Sequence, residues 1–199
     1  MTKCQQLDRL YAEMESLAGT LPLTKQPTDI IPGEGNTEAR VLLIGEAPGY
    51  HEHQQRRPFV GRSGQLLRTV LEEAGTSVAS VYISNIVKAR PPENRDPTPA
   101  EIAAYKPYLD QEIEILSPQL VVTLGRFSMA KFLPKVKISA VHGNTHRVTW
   151  NDQTLYVLPQ YHPAAALRGT RVMEAFKADI AKIPAVLSWI QTAPAQKRE

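Results

Sequence analysis

The chain contains only one cysteine, Cys4, among its 199 residues. A single thiol excludes an internal disulfide framework and any multi-cysteine metal site within one chain. No segment reaches the roughly 18 consecutive apolar residues of a membrane-spanning helix. Residues 1–6 also lack the apolar core of a secretion signal. We therefore expect a protein of the cytoplasm that does not enter a membrane.

The chain also has little excess charge of either sign. Its 23 Lys and Arg residues exceed its 20 Asp and Glu residues by three, which a solvated surface explains as well as a polyanionic partner does. The placement of the basic residues is more informative, because they cluster in three segments that also contain candidate site residues. These basic residues are Arg56, Arg57, Arg62 and Arg68, then Lys88, Arg90 and Arg95, and finally Arg168 and Arg171. Such clusters are typical of a groove that binds phosphates.

The pattern of apolar residues predicts one domain over residues 1–199, built from alternating strands and helices. The expected helices are 7–17, 63–74, 99–116, one ending near 133, and 172–190; the expected strands are 39–44, 78–83, 120–124, 147–150 and 155–158. Residues 191–199 read as a flexible tail. Alternation of this kind predicts a three-layer α/β/α fold with a central, mostly parallel sheet of four to five strands.

Three predicted strands are each followed by a polar side chain. Glu46 follows the apolar run 41–44, Asn85 follows the strand-like run 80–83, and His162 follows the strand at 155–158. In open α/β sheets, ligands bind in the crevice beyond the carboxyl ends of the strands. We therefore expect these three side chains to meet in one active site.

Five motifs, in a fixed order, resemble the uracil-DNA glycosylase superfamily and most closely its family 4. They are Pro32-Gly33-Glu34-Gly35-Asn36, Gly45-Glu46-Ala47-Pro48-Gly49, Arg57-Pro58-Phe59-Val60-Gly61, the segment from Asn85 to Arg95, and His162-Pro163-Ala164-Ala165. The resemblance covers about residues 31–187. One departure is large, because the four iron–sulfur cysteines of family 4 are missing.

The resemblance implies a DNA repair enzyme of base excision repair. Such an enzyme flips uracil out of single- or double-stranded DNA and hydrolyses its N-glycosidic bond as a monomer, leaving an abasic site. Carried over by motif, the catalytic residues are Glu46, Asn85 and His162. The uracil-binding residues are Gly45, Ala47, Pro48, Gly49, Phe59, Asn85 and His162.

Asn85 and Phe59 suit a role in holding the base. An amide offers an acceptor and two donors, which match N3–H and O4 of uracil, whereas cytosine presents the opposite pattern. An isolated asparagine at a strand end is more often a turn or cap residue, and an isolated phenylalanine is more often part of the core. Phe59, however, lies in a loop marked by proline and glycine, and the family stacks the matching ring on the extruded base.

His162 and Glu46 suit the chemistry of bond cleavage. Negative charge grows on O2 of uracil as the bond lengthens, and a ring N–H of His162 would stabilise it there. The carboxylate of Glu46 can accept a proton from the attacking water or stabilise the sugar cation. The sequence leaves both roles of Glu46 open, along with the simpler role of capping the next loop.

DNA contacts are expected from the basic loops and from the segment after His162. The predicted DNA-binding residues are Arg57, Lys88, Arg90, Arg95, Ala166, Leu167 and Arg168. Leu167 occupies the place where related enzymes push a wedge into the vacated base stack. The alternative is that these charges only keep the loops solvated.

No cofactor or metal is expected. The family's four cysteine positions fall at Ala18, Leu21, Ala89 and Tyr105, and none of these side chains ligates iron as a thiolate does. We expect the four residues to pack together instead and to hold the loop 90–97 in place.

Two other functions remain open from the sequence. One is a catalytically weak relative that binds uracil or damage without turnover. The other is a relative that crosslinks a histidine to the abasic sugar. The crosslinking branch carries a histidine in a loop after the asparagine motif, and no histidine occurs between Lys88 and Glu101.

Overall fold

The computed structural model describes residues 1–192, and its centre is a twisted six-stranded sheet. The spatial order of the strands is β1-β3-β2-β4-β6-β5. The strands are β1 (Glu34–Gly35), β2 (Val41–Gly45), β3 (Val81–Asn85), β4 (Leu120–Leu124), β5 (His146–Trp150) and β6 (Gln153–Gln160). The four central strands are parallel, and only the edge strands β1 and β5 are antiparallel to their neighbours. The mostly parallel sheet is as predicted.

Helices cover both faces of the sheet. They are α1 (Lys3–Ser16), α2 (Tyr50–Gln55), α3 (Arg62–Glu73), α4 (Pro99–Leu116), α5 (Arg126–Phe132), α6 (Ile138–Val141), α7 (Pro163–Ala166), α8 (Thr170–Ile180) and α9 (Ile183–Thr192). Short 3₁₀ turns lie at Pro27–Asp29, Val78–Ser80 and Pro92–Asn94. The predicted three-layer α/β/α class is therefore confirmed.

Alternate residues along the central strands belong to two separate hydrophobic cores, one on each face of the sheet. Val121 of β4 points to the core shared with α1 and α4, whereas Val122 points to the core shared with α3 and α8. All five residues of β2, of β3 and of β4 are buried. Continuous burial explains the unbroken apolar runs, since parallel strands are covered on both faces.

The sheet has one strand more than the predicted maximum of five. The extra strand is β1, whose two residues pair with Ile83 and Tyr82 of β3. Residues 34–35 carry no strand pattern, and Gly35 has φ +131°, where an added Cβ would lie 2.2 Å from the Val81 carbonyl oxygen. These two residues therefore form a strand because they pair with β3, and not because they favour the strand conformation themselves.

The predicted last helix, 172–190, is instead two helices. Pro184 lies in the first turn of α9, where its missing N–H is tolerated. In a continuous helix its ring would clash with the carbonyl of Ile180. Accordingly α8 ends at Ile180. Of the predicted tail, residues 191 and 192 belong to α9, and residues 193–199 lie outside the described residues. Within residues 1–192, no helix has the length and apolar character needed to cross a membrane.

Candidate active site

A cavity of about 570 Å³ opens at the carboxyl ends of the parallel strands. It brings together most of the predicted site residues. From the prediction, the lining includes Glu46, Ala47, Pro48, Gly49, Phe59, Asn85, Arg95, His162 and Arg168. Gly45 does not line the cavity but lies behind it, since an added Cβ there would come within 2.4 Å of both Asn85 and Phe59. Its lack of a side chain leaves room for both residues.

Asn85 ends β3 with its side chain turned toward the cavity. The residue is 4% exposed, and its Oδ1 has no hydrogen-bond partner. Buried amide oxygens are normally paired, because an unpaired one loses its hydration without compensation. Asn85 therefore lines the cavity with hydrogen-bonding capacity that no protein group uses.

Phe59 forms a buried wall of the same cavity. Its backbone is left-handed, with φ +53°, which is uncommon for a bulky residue. The loop passes so close to α3 that a Cβ on Gly64 would lie 2.0 Å from the Phe59 carbonyl carbon. The ring centroid lies 6.0 Å from that of His162, with the planes tilted by 34°. A flat base entering the cavity would meet both rings.

His162 is the residue before α7, and its ring is held by that helix. Nδ1 accepts a hydrogen bond from the Ala164 N–H at 3.1 Å, so in the neutral ring the proton is on Nε2. Burial lowers the pKa of His162 to about 4; the charge of Arg168 also lowers it, and that of Glu52 opposes the shift. Near neutral pH the side chain is therefore an uncharged N–H donor.

Glu46 follows β2 and is partly buried at the cavity wall. Burial raises the pKa of Glu46 to about 7, the nearby charge of Asp96 adds to the rise, and Arg126 opposes it. Asp96 and Arg126 form an exposed ion pair and also line the cavity. Glu46 therefore changes protonation state near neutral pH, as a proton-accepting group requires.

Several lining residues were not assigned an individual site role from the sequence, although some of them lie in or beside the motifs. They are Glu52, Ser63, Pro91, Asn94, Asp96, Gly125, Arg126, Ile138, Tyr161, Ala164 and Ala165. Arg126 follows the fourth strand that opens onto the cavity, so the strand-end rule could have found it. Nothing local signals Glu52, since its hydrogen-bond partners, the amides of Val60 and Gly61, lie eight and nine residues away.

The predicted basic residues differ in whether they line the cavity and in which side chains they contact. Arg95 and Arg168 line the cavity. Arg95 also makes a two-pronged ion pair with Glu101, at 2.8 and 2.6 Å. Arg90 lies over the exposed ring of Tyr50, with 5.1 Å between its guanidinium carbon and the ring centroid. Arg57 makes a two-pronged ion pair with Glu34, at 2.6 and 2.8 Å.

Two predicted DNA contacts are contradicted. The side chain of Lys88 is 1% exposed, and its Nζ lies 2.5 Å from Glu112 in the core, so it cannot reach a phosphate. Ala166, the last residue of α7, is 2% exposed and packs in the hydrophobic core. The neighbouring Leu167 is 41% exposed, as an inserting side chain would have to be.

The family's iron–sulfur positions hold no suitable ligands here. Leu21, Ala89 and Tyr105 are buried in one hydrophobic core, and the Tyr105 hydroxyl donates to the Pro22 carbonyl at 2.7 Å. Ala18 is partly buried and is not one of the residues of that core. Cys4 is exposed on α1. Within residues 1–192, no three His, Cys, Asp or Glu side chains are grouped as a metal would need. These residues do not fit an iron–sulfur cluster.

The fold and the cavity define a class: α/β proteins with a pocket of mixed polar and apolar lining at the carboxyl ends of parallel strands. Comparison with known proteins narrows that class. A family model described as the uracil DNA glycosylase superfamily matches residues 32–183. The chain belongs to this superfamily.

Curated relatives agree with the family match. The chain is 41% identical over 162 residues to the type-4 uracil-DNA glycosylase of Sulfurisphaera tokodaii, covering 78% of this chain and 74% of that one. It is 38% identical over 185 residues to the type-4 enzyme of Archaeoglobus fulgidus, covering 90% and 92%. A type-5 uracil-DNA glycosylase from Thermus thermophilus is 34% identical over 154 residues, covering 67% and 68%.

Proposed function

We propose that the protein is a uracil-DNA glycosylase of base excision repair. It flips uracil out of DNA and hydrolyses the N-glycosidic bond, leaving an abasic site. Relatives named type-4 uracil-DNA glycosylase match most of the chain. The observation that carries the proposal is the unpaired Oδ1 of Asn85 at the wall of a cavity that also presents Phe59 and His162.

Asn85 reads the base and Phe59 stacks on it. The amide accepts from N3–H of uracil and donates to O4, so it satisfies the group that is unpaired without a ligand. Cytosine would leave both partners unpaired, and a site that hydrogen-bonds its substrate discriminates strongly against such a mismatch. The aromatic ring adds about 1–3 kcal/mol of stacking without reading the sequence.

His162 stabilises the departing uracil anion. The neutral imidazole, with its proton on Nε2, donates a hydrogen bond to O2 as negative charge develops there. A donor fixed in advance needs no reorganisation during the reaction, which is the advantage of an oxyanion hole. The hydrogen bond from Ala164 to Nδ1 supplies that fixed orientation.

Glu46 supplies the carboxylate for the other half of the reaction. With a pKa of about 7, it accepts a proton from water far more readily at neutral pH than an ordinary carboxylate does. The same charge, close to the sugar, would stabilise an oxocarbenium-like transition state. Both roles need the deprotonated form, so both give the same dependence on pH.

DNA is the macromolecular partner of this family. Its phosphates bind to Arg95 and Arg168, which is supported by their position in the cavity lining. Leu167 enters the stack that the flipped base leaves. The protein acts as a monomer in the cytoplasm. It uses no iron–sulfur cluster, since its single cysteine cannot supply four thiolates.

A uracil-release assay tests the proposal. Oligonucleotides with one uracil, as U:G, U:A and single strands, are incubated with the protein and then treated with alkali. Cleavage at the uracil position is expected, with no cleavage of matched oligonucleotides that carry thymine or cytosine there. Intact DNA that stays bound would identify a non-catalytic binder, and an adduct that resists denaturant would identify a crosslinking relative.

A further inference from the structure

We infer that Glu52 is a positioning residue that holds Phe59 at the angle needed to stack on the base, a role that rests on the proposed function. Glu52 lies in α2, is buried, and lines the cavity. Its Oε1 accepts hydrogen bonds from the N–H groups of Val60 at 2.9 Å and of Gly61 at 2.7 Å. These are the two peptides that follow Phe59.

The loop at Phe59 needs such support because its backbone is strained. A left-handed conformation is unfavourable for a residue with a large side chain and persists only where the surroundings impose it. Arg68 holds the carbonyl side, donating to the Phe59 oxygen at 3.0 Å and to the Pro58 oxygen at 3.1 Å. Glu52 holds the amide side, so the strained residue is fixed from both directions.

Glu52 also connects two walls of the cavity. The helix α2 starts directly after the segment from Glu46 to Gly49, and a Cβ on Gly49 would lie only 2.8 Å from Glu52 Oε2. The same carboxylate reaches the loop from Phe59 to Gly61. Glu52 therefore fixes the distance between the wall that carries Glu46 and the wall that carries the stacking ring.

The hydrogen bonds, rather than the charge, carry this role. Both N–H groups donate to the same oxygen, and the carbonyl oxygen of a glutamine can accept both. The negative charge of Glu52 raises the pKa of His162. Removing that charge would therefore lower the pKa further, and His162 would stay neutral near neutral pH. Glu52→Gln is therefore a matched control for Glu52→Ala.

The experiment measures single-turnover uracil release, affinity for uracil-free DNA and thermal stability for the wild type, Glu52→Ala, Glu52→Gln, Phe59→Ala and the double variant Glu52→Ala with Phe59→Ala. Glu52→Ala is expected to slow release by about 5- to 150-fold, the range of a lost stacking contact. Glu52→Gln should remain within about fivefold of the wild type, since a neutral acceptor makes weaker hydrogen bonds than a charged one. Binding to uracil-free DNA should not change.

The double variant separates positioning from general stabilisation. If Glu52 acts through Phe59, the double variant releases uracil no more slowly than Phe59→Ala alone. Additive losses, or a Glu52→Gln variant as slow as Glu52→Ala, would overturn the inference. If Glu52→Ala does not fold, Glu52→Asp, whose shorter side chain falls short of both amides, takes its place.

The activity of the wild type shows whether a negative result concerns Glu52 alone or the proposed function as well. Uracil release by the wild type together with an unimpaired Glu52→Ala variant overturns the role of Glu52 alone. No release by the wild type on any of the three substrates overturns the proposed function and this role with it.

Discussion

Ser84 and Asn85 are consecutive in β3, and their side chains serve opposite faces of the sheet. The Ser84 hydroxyl donates to Glu112 at 2.8 Å, in a buried group that also contains Lys88 and Tyr11. Asn85 faces the cavity, with its amide oxygen unpaired. The strand end that presents the Asn85 amide to the cavity is thus anchored from behind by a buried polar network, which limits its freedom to tilt.

Asn85→Asp should release some cytosine from DNA. A protonated carboxyl presents one donor and one acceptor to the N3 and N4 positions of cytosine, the reverse of the pattern that uracil needs. Uracil release should fall by about 5- to 150-fold, the cost of an unpaired buried hydrogen-bonding group. Single-turnover assays on C:G and U:G duplexes measure both changes. Asn85→Ala is the control, with loss at uracil and no gain at cytosine; equal inactivity of both variants at cytosine would contradict the reading role.

The rate of uracil release should rise with pH and level off near neutrality. In the proposed mechanism Glu46 acts as a carboxylate. Because its pKa is about 7, the active form is lost tenfold per unit as the pH falls below that value. His162 has a pKa of about 4 and is needed neutral, so it adds a second fall only below pH 4. Single-turnover rates from pH 5 to pH 9 check this. Glu46→Gln should be slow and nearly flat with pH, and a rate that rises on acidification would contradict the assignment.

His162→Ala should slow uracil release by about 10²- to 10³-fold, the usual effect of removing one donor to a developing oxyanion. Binding to uracil-free DNA should stay unchanged, because the proposed contact of the ring is with the flipped base and not with the DNA backbone. Rapid-quench kinetics and a filter-binding measurement separate the two quantities. A variant that cleaves within about fivefold of the wild type would remove His162 from the mechanism, since so small a change is under about 1 kcal/mol.

DNA binding should weaken steeply with salt, with a log–log slope of about −0.9 per phosphate contact on duplex and about −0.7 on single strands. Arg168→Ala should lower the magnitude of the slope by about one without changing the preference for uracil. Arg9→Ala is the control, because Arg9 is exposed on α1 and does not line the cavity. A slope that is the same for both variants would show that Arg168 only solvates its loop.

Purified protein should contain no iron, and Tyr105 should carry part of the stability that a cluster would supply. Tyr105→Phe removes the hydrogen bond to Pro22 and should cost about 0.5–1.5 kcal/mol. Tyr105→Ala should cost about 3–5 kcal/mol and weaken DNA binding, because Ala89 packs in the same core directly before the loop 90–97. Urea unfolding and an iron assay measure these quantities. Tyr108→Phe, on the same helix but only partly buried, is the control; about four irons per chain would contradict the prediction.

Elements with local signals were predicted from the sequence. The bounds of α4 match the prediction because Thr98 and Glu101 cap each other's backbone and Pro99 suits the first helical position. The strand β4 matches because its five buried residues, four of them apolar, lie between Pro118 and Gly125. The turn between β5 and β6 falls at Asn151 and Asp152, both left-handed, as the sequence indicates.

The positions of Glu46, Asn85 and His162 were also predictable, since a strand delivers the residue that follows it to the edge of the sheet. Their electrostatic properties were not. The pKa of Glu46 is raised by burial and by Asp96, fifty residues later in the chain. Such shifts depend on which groups the fold brings close together, and no local pattern records that.

Lys88 shows most plainly what only the tertiary structure decided. It stands among arginines in a loop that reads as a phosphate-binding segment, yet its partner is Glu112, 24 residues later in the middle of α4. A lysine beside a strand end can be buried where the core contains a carboxylate that pairs with it. Without such a partner it stays exposed. The sequence by itself determined which residues end the strands, because strand ends depend on neighbours in the chain. The tertiary structure decided which charged side chains are buried and which remain on the surface, because ion pairing in a core depends on neighbours in space.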